Sequence, residues 1–63
     1  MKPLTPNQRK FADEYIISGN ATESYQKAYK SVKNNDTARA NASRLLTFAN
    51  IKSYIDERME KHQ

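Results

Sequence analysis

The 63-residue sequence has no cysteine, one glycine, two prolines and one histidine. Without cysteine the chain can form neither a disulfide nor a thiolate metal site, and His62 alone cannot build a zinc site. A single glycine also excludes a glycine-rich phosphate-binding loop. No apolar run approaches the roughly 20 residues that a membrane-spanning helix needs. We therefore expect no metal, no cofactor and no membrane partner.

The carboxylates form no catalytic pattern. Asp13–Glu14 and Asp56–Glu57 are adjacent pairs on predicted outward helix faces, where neighbouring side chains diverge. A chain this short buries only about 60% of its unfolded surface, which leaves little room for a substrate-sized cavity. We expect a single domain over residues 1–63 and no enzymatic activity.

The positive charge is concentrated in one stretch. The chain carries a net charge of +4. The stretch from Ser24 to Lys52 contains six basic residues and a single acidic one, Asp36. The segment before this stretch is balanced and the segment after it is slightly acidic. From Thr37 to Ala49 there is no acid at all. Such localised charge indicates a surface for phosphates.

Hydrophobic periodicity and helix-capping residues predict an all-α fold, a compact bundle of four short helices. Residues 1–4 are expected to form a loose arm, although Leu4, just before the cap, can pack down on the first turn of helix 1. Thr5, followed by Pro6 and by Gln8 three residues later, predicts the start of helix 1 with a capping box. This helix should run to about Ser18, because Gly19 suits the left-handed residue after a helix.

Asn20 predicts the cap of helix 2, with Glu23 in the capping-box position. Tyr25 and Tyr29 are spaced i, i+4 on the small-residue face of this helix. Core packing therefore explains them better than stacking on nucleic-acid bases, which is the alternative. Residues 31–35 are predicted to form a turn, anchored in the core by Val32. Turn formation and helix capping are the alternative roles of Asn34 and Asn35 to contact with nucleic acid.

Helix 3 is predicted from about Asp36 to Thr47, capped by Asn35 or Asp36. Its inward face collects Ala38, Ala42, Leu45 and Leu46, while its outer face is small and polar with two arginines. Ordinary solvated faces usually include glutamate, whereas a helix entering the major groove needs short side chains and a few long donors. Helices 2 and 3 are thus predicted to form a helix-turn-helix held rigid by helices 1 and 4. The predicted nucleic-acid contacts are Lys27, Lys30, Lys33, Asn34, Asn35, Thr37, Arg39, Ala40, Ser43 and Arg44.

Helix 4 is predicted to begin after a cap at Asn50. Its apolar stripe consists of Ile51, Tyr54, Ile55 and Met59, extended by Arg58 and His62. Because no glycine or proline ends this stripe, we expect the helix to continue in a longer parent chain. Ile17 does not fit the inward face of helix 1. It is either a lone exposed apolar side chain, one covered by a neighbouring helix, or a contact with another subunit.

Four stretches in this order resemble the N-terminal DNA-binding domain of phage terminase small subunits. They are LTPNQRKF, EYIISGNAT, TARANASRLL and NIKSYI, which together span Leu4 to about Ile55. Relatives commonly have a short turn with a glycine in the helix-turn-helix, whereas residues 29–35 here are longer and contain none.

The resemblance implies a helix-turn-helix module that binds double-stranded DNA at the packaging-initiation site of concatemeric phage DNA, in the cytoplasm of the bacterial host. It implies as partners the large terminase subunit, which carries the motor and nuclease, and further copies of the chain in a full-length homo-oligomer. These 63 residues alone are expected to be monomeric. Two alternatives remain open, a protein-interaction or oligomerisation module and a helix-turn-helix transcription regulator.

Overall fold

The computed structural model describes residues 3–61, and the side chains of residues 3–59. Within this range the chain forms four α-helices and no strand. Their bounds are α1 (Pro6–Ser18), α2 (Ala21–Ala28), α3 (Asn35–Leu45) and α4 (Ala49–Lys61). The prediction of an all-α bundle of four short helices is confirmed. His62, predicted to extend the stripe of helix 4, lies outside the described residues.

Both ends of α1 follow the local sequence signals. The Thr5 hydroxyl accepts from the Gln8 N–H, and the Gln8 side-chain oxygen accepts from the Thr5 N–H, each at 3.1 Å. Gly19 has a φ of 71°, and its N–H donates to the Tyr15 carbonyl at 2.8 Å. The capping box and the left-handed glycine are therefore confirmed.

Leu4, the last residue of the expected arm, packs down as predicted for a residue just before the helix cap. Leu4 is half-buried and packs against the core, while Pro3 is exposed. Residues 1–2 of that arm lie outside the described part. An apolar residue just before a helix cap can cover the first turn, and this contact orders Leu4.

The start of α2 is capped as predicted, but only half of its capping box forms. Asn20 Oδ1 accepts from the Glu23 N–H at 3.0 Å. The Asn20 N–H donates to Ser18 Oγ at 3.1 Å, so it does not need the Glu23 carboxylate. Glu23 instead pairs with Lys27, one helical turn ahead, at 3.7 Å.

The predicted cap of helix 3 is wrong by one residue. Asn34 is the cap, and its Oδ1 accepts from the N–H groups of Asp36 at 2.8 Å and Thr37 at 3.1 Å. Asn34, Asn35 and Asp36 are all good capping residues, so local propensity does not choose among them. The helix also ends at Leu45, earlier than predicted, because the chain turns over residues 46–48.

The predicted cap of helix 4 is also displaced. The helix begins at Ala49, and the Lys52 N–H already donates to the Phe48 carbonyl at 2.9 Å. Asn50 therefore lies inside the first turn, where its Oδ1 accepts from the Ile51 N–H at 3.0 Å.

The core is centred on Phe11, which is fully buried. Its ring stacks on Tyr15 at 6.3 Å and meets Tyr25 edge-on at 6.2 Å between centroids. Tyr25 in turn stacks on Tyr29 at 4.3 Å. This confirms the interpretation of the tyrosines as core residues. The other buried apolar side chains are Ala12, Ala38, Ala42, Ile51 and Ile55.

The arrangement of the helices leaves one side of α3 exposed. α1 packs against α2 and α4, whereas the principal partner of α3 is α2. Helices 1 and 4 were predicted to hold the helix-turn-helix rigid. α1 does so by packing on α2, whereas α4 packs mainly on α1 and α3 is held chiefly by α2. Ala38 and Ala42 of α3 face the core, and their small size lets α3 approach closely while its opposite side remains exposed.

Candidate nucleic-acid interface

The connection between α2 and α3 places lysines outside and apolar side chains inside. Tyr29 and Val32 are half-buried against the core, whereas Lys30 and Lys33 are exposed. The Val32 N–H donates to the Tyr29 carbonyl at 3.0 Å. No residue other than Gly19 has a positive φ in the described part of the chain. The turn therefore needs no glycine, and the predicted core anchor at Val32 is confirmed.

Both asparagines of the turn have structural partners. Asn34 Oδ1 caps α3 through the N–H groups of its first turn, and Asn35 Oδ1 accepts from Gln26 Nε2 at 2.8 Å. The same Gln26 nitrogen donates to the Lys33 carbonyl at 3.3 Å. Asn34 and Asn35 were predicted to contact nucleic acid, and the structure places their oxygens in bonds that hold the turn.

The outer face of α3 is open to solvent over its whole length. Thr37, Ala40, Ser43 and Arg44 are all exposed, as predicted. These residues lie opposite the buried Ala38 and Ala42. Three of the four are short, so this face permits the close approach that a groove of duplex DNA requires.

The two arginines of α3 differ in their surroundings. Arg39 Nη2 lies 3.4 Å from Asp36 Oδ1, and both side chains are mostly exposed. No carboxylate lies within 4.0 Å of the Arg44 guanidinium among the side chains of residues 3–59. Arg44 is thus available to an external anion, whereas Arg39 must share its charge with a neighbouring acid.

Lys27 lies apart from the other predicted cations. Its Nζ is 3.6 Å from Glu14 of α1 and 3.7 Å from Glu23 of α2. By contrast, Lys30 and Lys33 have no ion pair within the described part of the chain. The structure therefore brings Lys27 to the α1–α2 side, where two carboxylates offset its charge.

Sequence reasoning missed two polar residues that connect α2 to α3. Gln26 reaches the turn, and Asn41 Nδ2 donates to the Tyr25 hydroxyl at 3.2 Å. Gln26 and Asn41 bond to residues more than one helical turn away, so no local pattern could have indicated them.

Burial raises the pKa of Tyr29, with a smaller contribution from the neighbouring Tyr25.

Residues 3–61 contain neither a metal-binding cluster nor a membrane-spanning helix. This range contains no group of three or more His, Cys, Asp or Glu side chains that could hold a metal ion. It also contains no helix with the length and apolar character needed to cross a bilayer.

The described residues form a small all-α fold with exposed cations on the α2–α3 turn and on the outer side of α3. The chain belongs to the terminase small subunit family, because the family model described as "Terminase small subunit" matches residues 4–63. It is 43% identical over 61 residues to the terminase small subunit of Staphylococcus phage 80alpha. That alignment covers 95% of this chain and 40% of the relative, so the chain spans less than half the length of the relative it matches. No solved structure matches the chain.

Proposed function

We propose that this chain is the DNA-binding domain of a phage terminase small subunit. It binds duplex DNA through the turn and the outer face of α3, and acts in genome packaging in the cytoplasm of the bacterial host. In the full-length protein it would mark the packaging-initiation site and, as part of a homo-oligomer, present that DNA to the large terminase subunit. Family membership supports the role in packaging.

The observation that carries the proposal is the exposed outer face of α3, which has no acid beyond Asp36 in its first turn. Arg44 lies on it without a carboxylate partner among the described side chains, and its neighbours Ala40 and Ser43 are short. Lys30 and Lys33 extend the same positive charge along the turn. Long donors among short side chains suit contacts to base edges and phosphates in the major groove.

The direct test measures DNA binding by the double variant Arg39→Ala, Arg44→Ala. Binding is measured by the fluorescence anisotropy of a labelled duplex at several salt concentrations. We expect affinity to fall at least tenfold, and the dependence on log salt to become shallower by about 0.9 for each phosphate that the variant no longer neutralises. The matched control is Arg58→Ala on α4, whose guanidinium stacks 3.7 Å above the Tyr54 ring. Equal affinity and equal salt dependence for the double variant and the unchanged protein would exclude α3 as the reader.

A second candidate function is favoured by a different observation. Ile17 is 79% exposed, and no helix in the described part of the chain covers it. A lone exposed isoleucine is common on soluble proteins, but a subunit contact would also account for it. In that case the domain would serve self-association, and the basic stretch would mainly affect solubility. Sedimentation of the chain and of Ile17→Asp decides: a monomer indifferent to the change that still binds duplex DNA rules this candidate out.

A further inference from the structure

We infer that Gln26 is a positioning residue of the DNA interface, because its side-chain amide fixes the basic turn against α2 and the start of α3. The inference rests on the proposed DNA binding. Gln26 itself does not contact DNA in this proposal. Its effect is transmitted through the backbone that presents Lys30 and Lys33.

The geometry places one amide group between two segments of the chain. Gln26 is half-buried on α2, and its Nε2 donates to the Lys33 carbonyl at 3.3 Å and to Asn35 Oδ1 at 2.8 Å. The first bond holds the backbone of the turn, and the second holds the first residue of α3. One side chain of α2 thus sets where the turn ends and the helix begins.

Few other polar contacts hold this part of the turn. The Val32 N–H bonds to Tyr29 at the beginning of the turn, and Asn34 caps α3 after it. The Lys33 carbonyl lies between these two points, and Gln26 is the partner that ties it to α2. Without this bond, the backbone at Lys33 would be restrained by its neighbours in sequence and by the packing of Val32.

A fixed turn lowers the cost of binding. Cations carried on a mobile segment must be ordered when they meet phosphates, and this ordering subtracts from the affinity. Removal of the amide should therefore weaken binding without changing how many phosphates are contacted. Removal of a cationic residue that neutralises a phosphate would change both the affinity and its salt dependence.

The test compares Gln26→Met with a matched variant, Gln8→Met. Methionine keeps the length and helix propensity of glutamine but cannot donate the two bonds. Gln8 is also partly exposed, and its side chain accepts the Thr5 N–H at the start of α1. Gln8→Met therefore removes a comparable bond far from the turn and controls for a general loss of stability. Asn35→Ala and the double variant Gln26→Met, Asn35→Ala complete a cycle.

We expect Gln26→Met to weaken duplex binding by about three- to tenfold with an unchanged salt dependence. Gln8→Met should bind like the unchanged protein, and Asn35→Ala should add little to Gln26→Met because the two side chains share one bond. In the free protein, hydrogen exchange at the amides of residues 33–37 should be faster in Gln26→Met and unchanged in Gln8→Met.

Two outcomes of the affinity measurements would overturn the inference. One is equal DNA affinity of Gln26→Met and the unchanged protein, and the other is an equal loss of affinity in Gln8→Met. A shallower salt dependence in Gln26→Met would mean that a cation has lost its phosphate contact altogether, rather than making it at a higher ordering cost, and would also contradict the inference. Failure of the unchanged protein to bind duplex DNA at low salt would instead refute the proposed function, so the two failures are distinguishable.

Discussion

Positive charge on the α1 side of α2 is paired, whereas positive charge on the turn between α2 and α3 is not. We call Lys27 the paired flank, and Lys30 and Lys33 the unpaired flank. Towards α1, Lys27 lies within 4.0 Å of both Glu14 and Glu23. Towards α3, Lys30 and Lys33 are exposed and have no ion pair among the described residues. All three lysines are equally spaced in the sequence. The difference teaches that pairing in three dimensions, rather than the count of cations, decides which flank can bind an anion.

Among the variants that compare the two flanks, the largest effect is expected on the unpaired flank. The double variant Lys30→Ala, Lys33→Ala should weaken duplex binding on the order of tenfold at low salt, because two cations that neutralise phosphates are removed. The bond from Gln26 to the Lys33 carbonyl involves only the backbone and survives the change. Fluorescence anisotropy across a salt series measures the affinity. An unaltered salt dependence would show that the turn does not touch the phosphates.

A smaller effect of opposite sign is expected at Asp36. It is the one acid between Ser24 and Lys52, it is highly exposed, and it lies 3.4 Å from Arg39. Asp36→Asn should remove repulsion with phosphates and free Arg39, so affinity for any duplex should rise about threefold. The capping bond from Asn34 to the backbone N–H of residue 36 is retained.

The same variant should lose a few tenths of a kcal/mol of stability, because an acid in the first turn of a helix interacts favourably with the helix dipole. Binding to two duplexes of different sequence, together with thermal unfolding, measures both effects. Reduced affinity for one duplex alone would instead mean that Asp36 reads a base.

A still smaller effect is expected on the paired flank. Lys27→Ala should change duplex affinity by no more than about twofold, because its charge is already offset by two carboxylates. The loss of stability should be only about 0.2–1 kcal/mol, as for other exposed ion pairs. A loss of affinity as large as that of Lys33→Ala, measured in the same assay, would refute the distinction between the two flanks.

The smallest effect concerns pH, and it lies outside the interface. Burial raises the pKa of Tyr54, and the hydrogen bond that its hydroxyl donates to Asp13 at 2.6 Å raises it further. The folded state thus holds this proton more tightly than the unfolded chain, whose tyrosine has a pKa of 10.0. The contribution is fully present below pH 10 and is lost as the pH rises through the higher pKa of the folded state.

Denaturant unfolding between pH 8 and 11 checks this expectation, with Tyr54→Phe as the control. The unfolding free energy should decline at the alkaline end, and less steeply in the variant. Tyr29, whose pKa is also raised by burial, contributes in the same direction. A stability that increased above pH 10 would contradict the sign of both shifts.

Local signals predicted much of the fold. Thr5, Gly19 and Asn20 act through bonds to residues at most four positions away, so their roles could be deduced from sequence. The cap of α3 could not be chosen, because three consecutive residues favour the same role. The outer face of α3 was predictable from helical periodicity alone.

The remaining features of the candidate site depend on contacts between helices. Lys27 meets Glu14 across the α1–α2 interface, and Gln26 meets Asn35 across the turn. Neither pair is coupled by the 3.6-residue period of a single helix, so the sequence offers no signal for it. This explains why Lys27 was grouped with Lys30 and Lys33 and why Gln26 was overlooked.

The central claim is that the turn and the outer face of α3 bind duplex DNA. An NMR titration of the ¹⁵N-labelled chain with a duplex at two salt concentrations tests it most directly. We predict shifts confined mainly to the amides of residues 30–44 at low salt, much reduced at high salt, with Lys27 and the α1–α4 side little affected. Shifts centred on α1 or α4, or none at low salt, would contradict the claim.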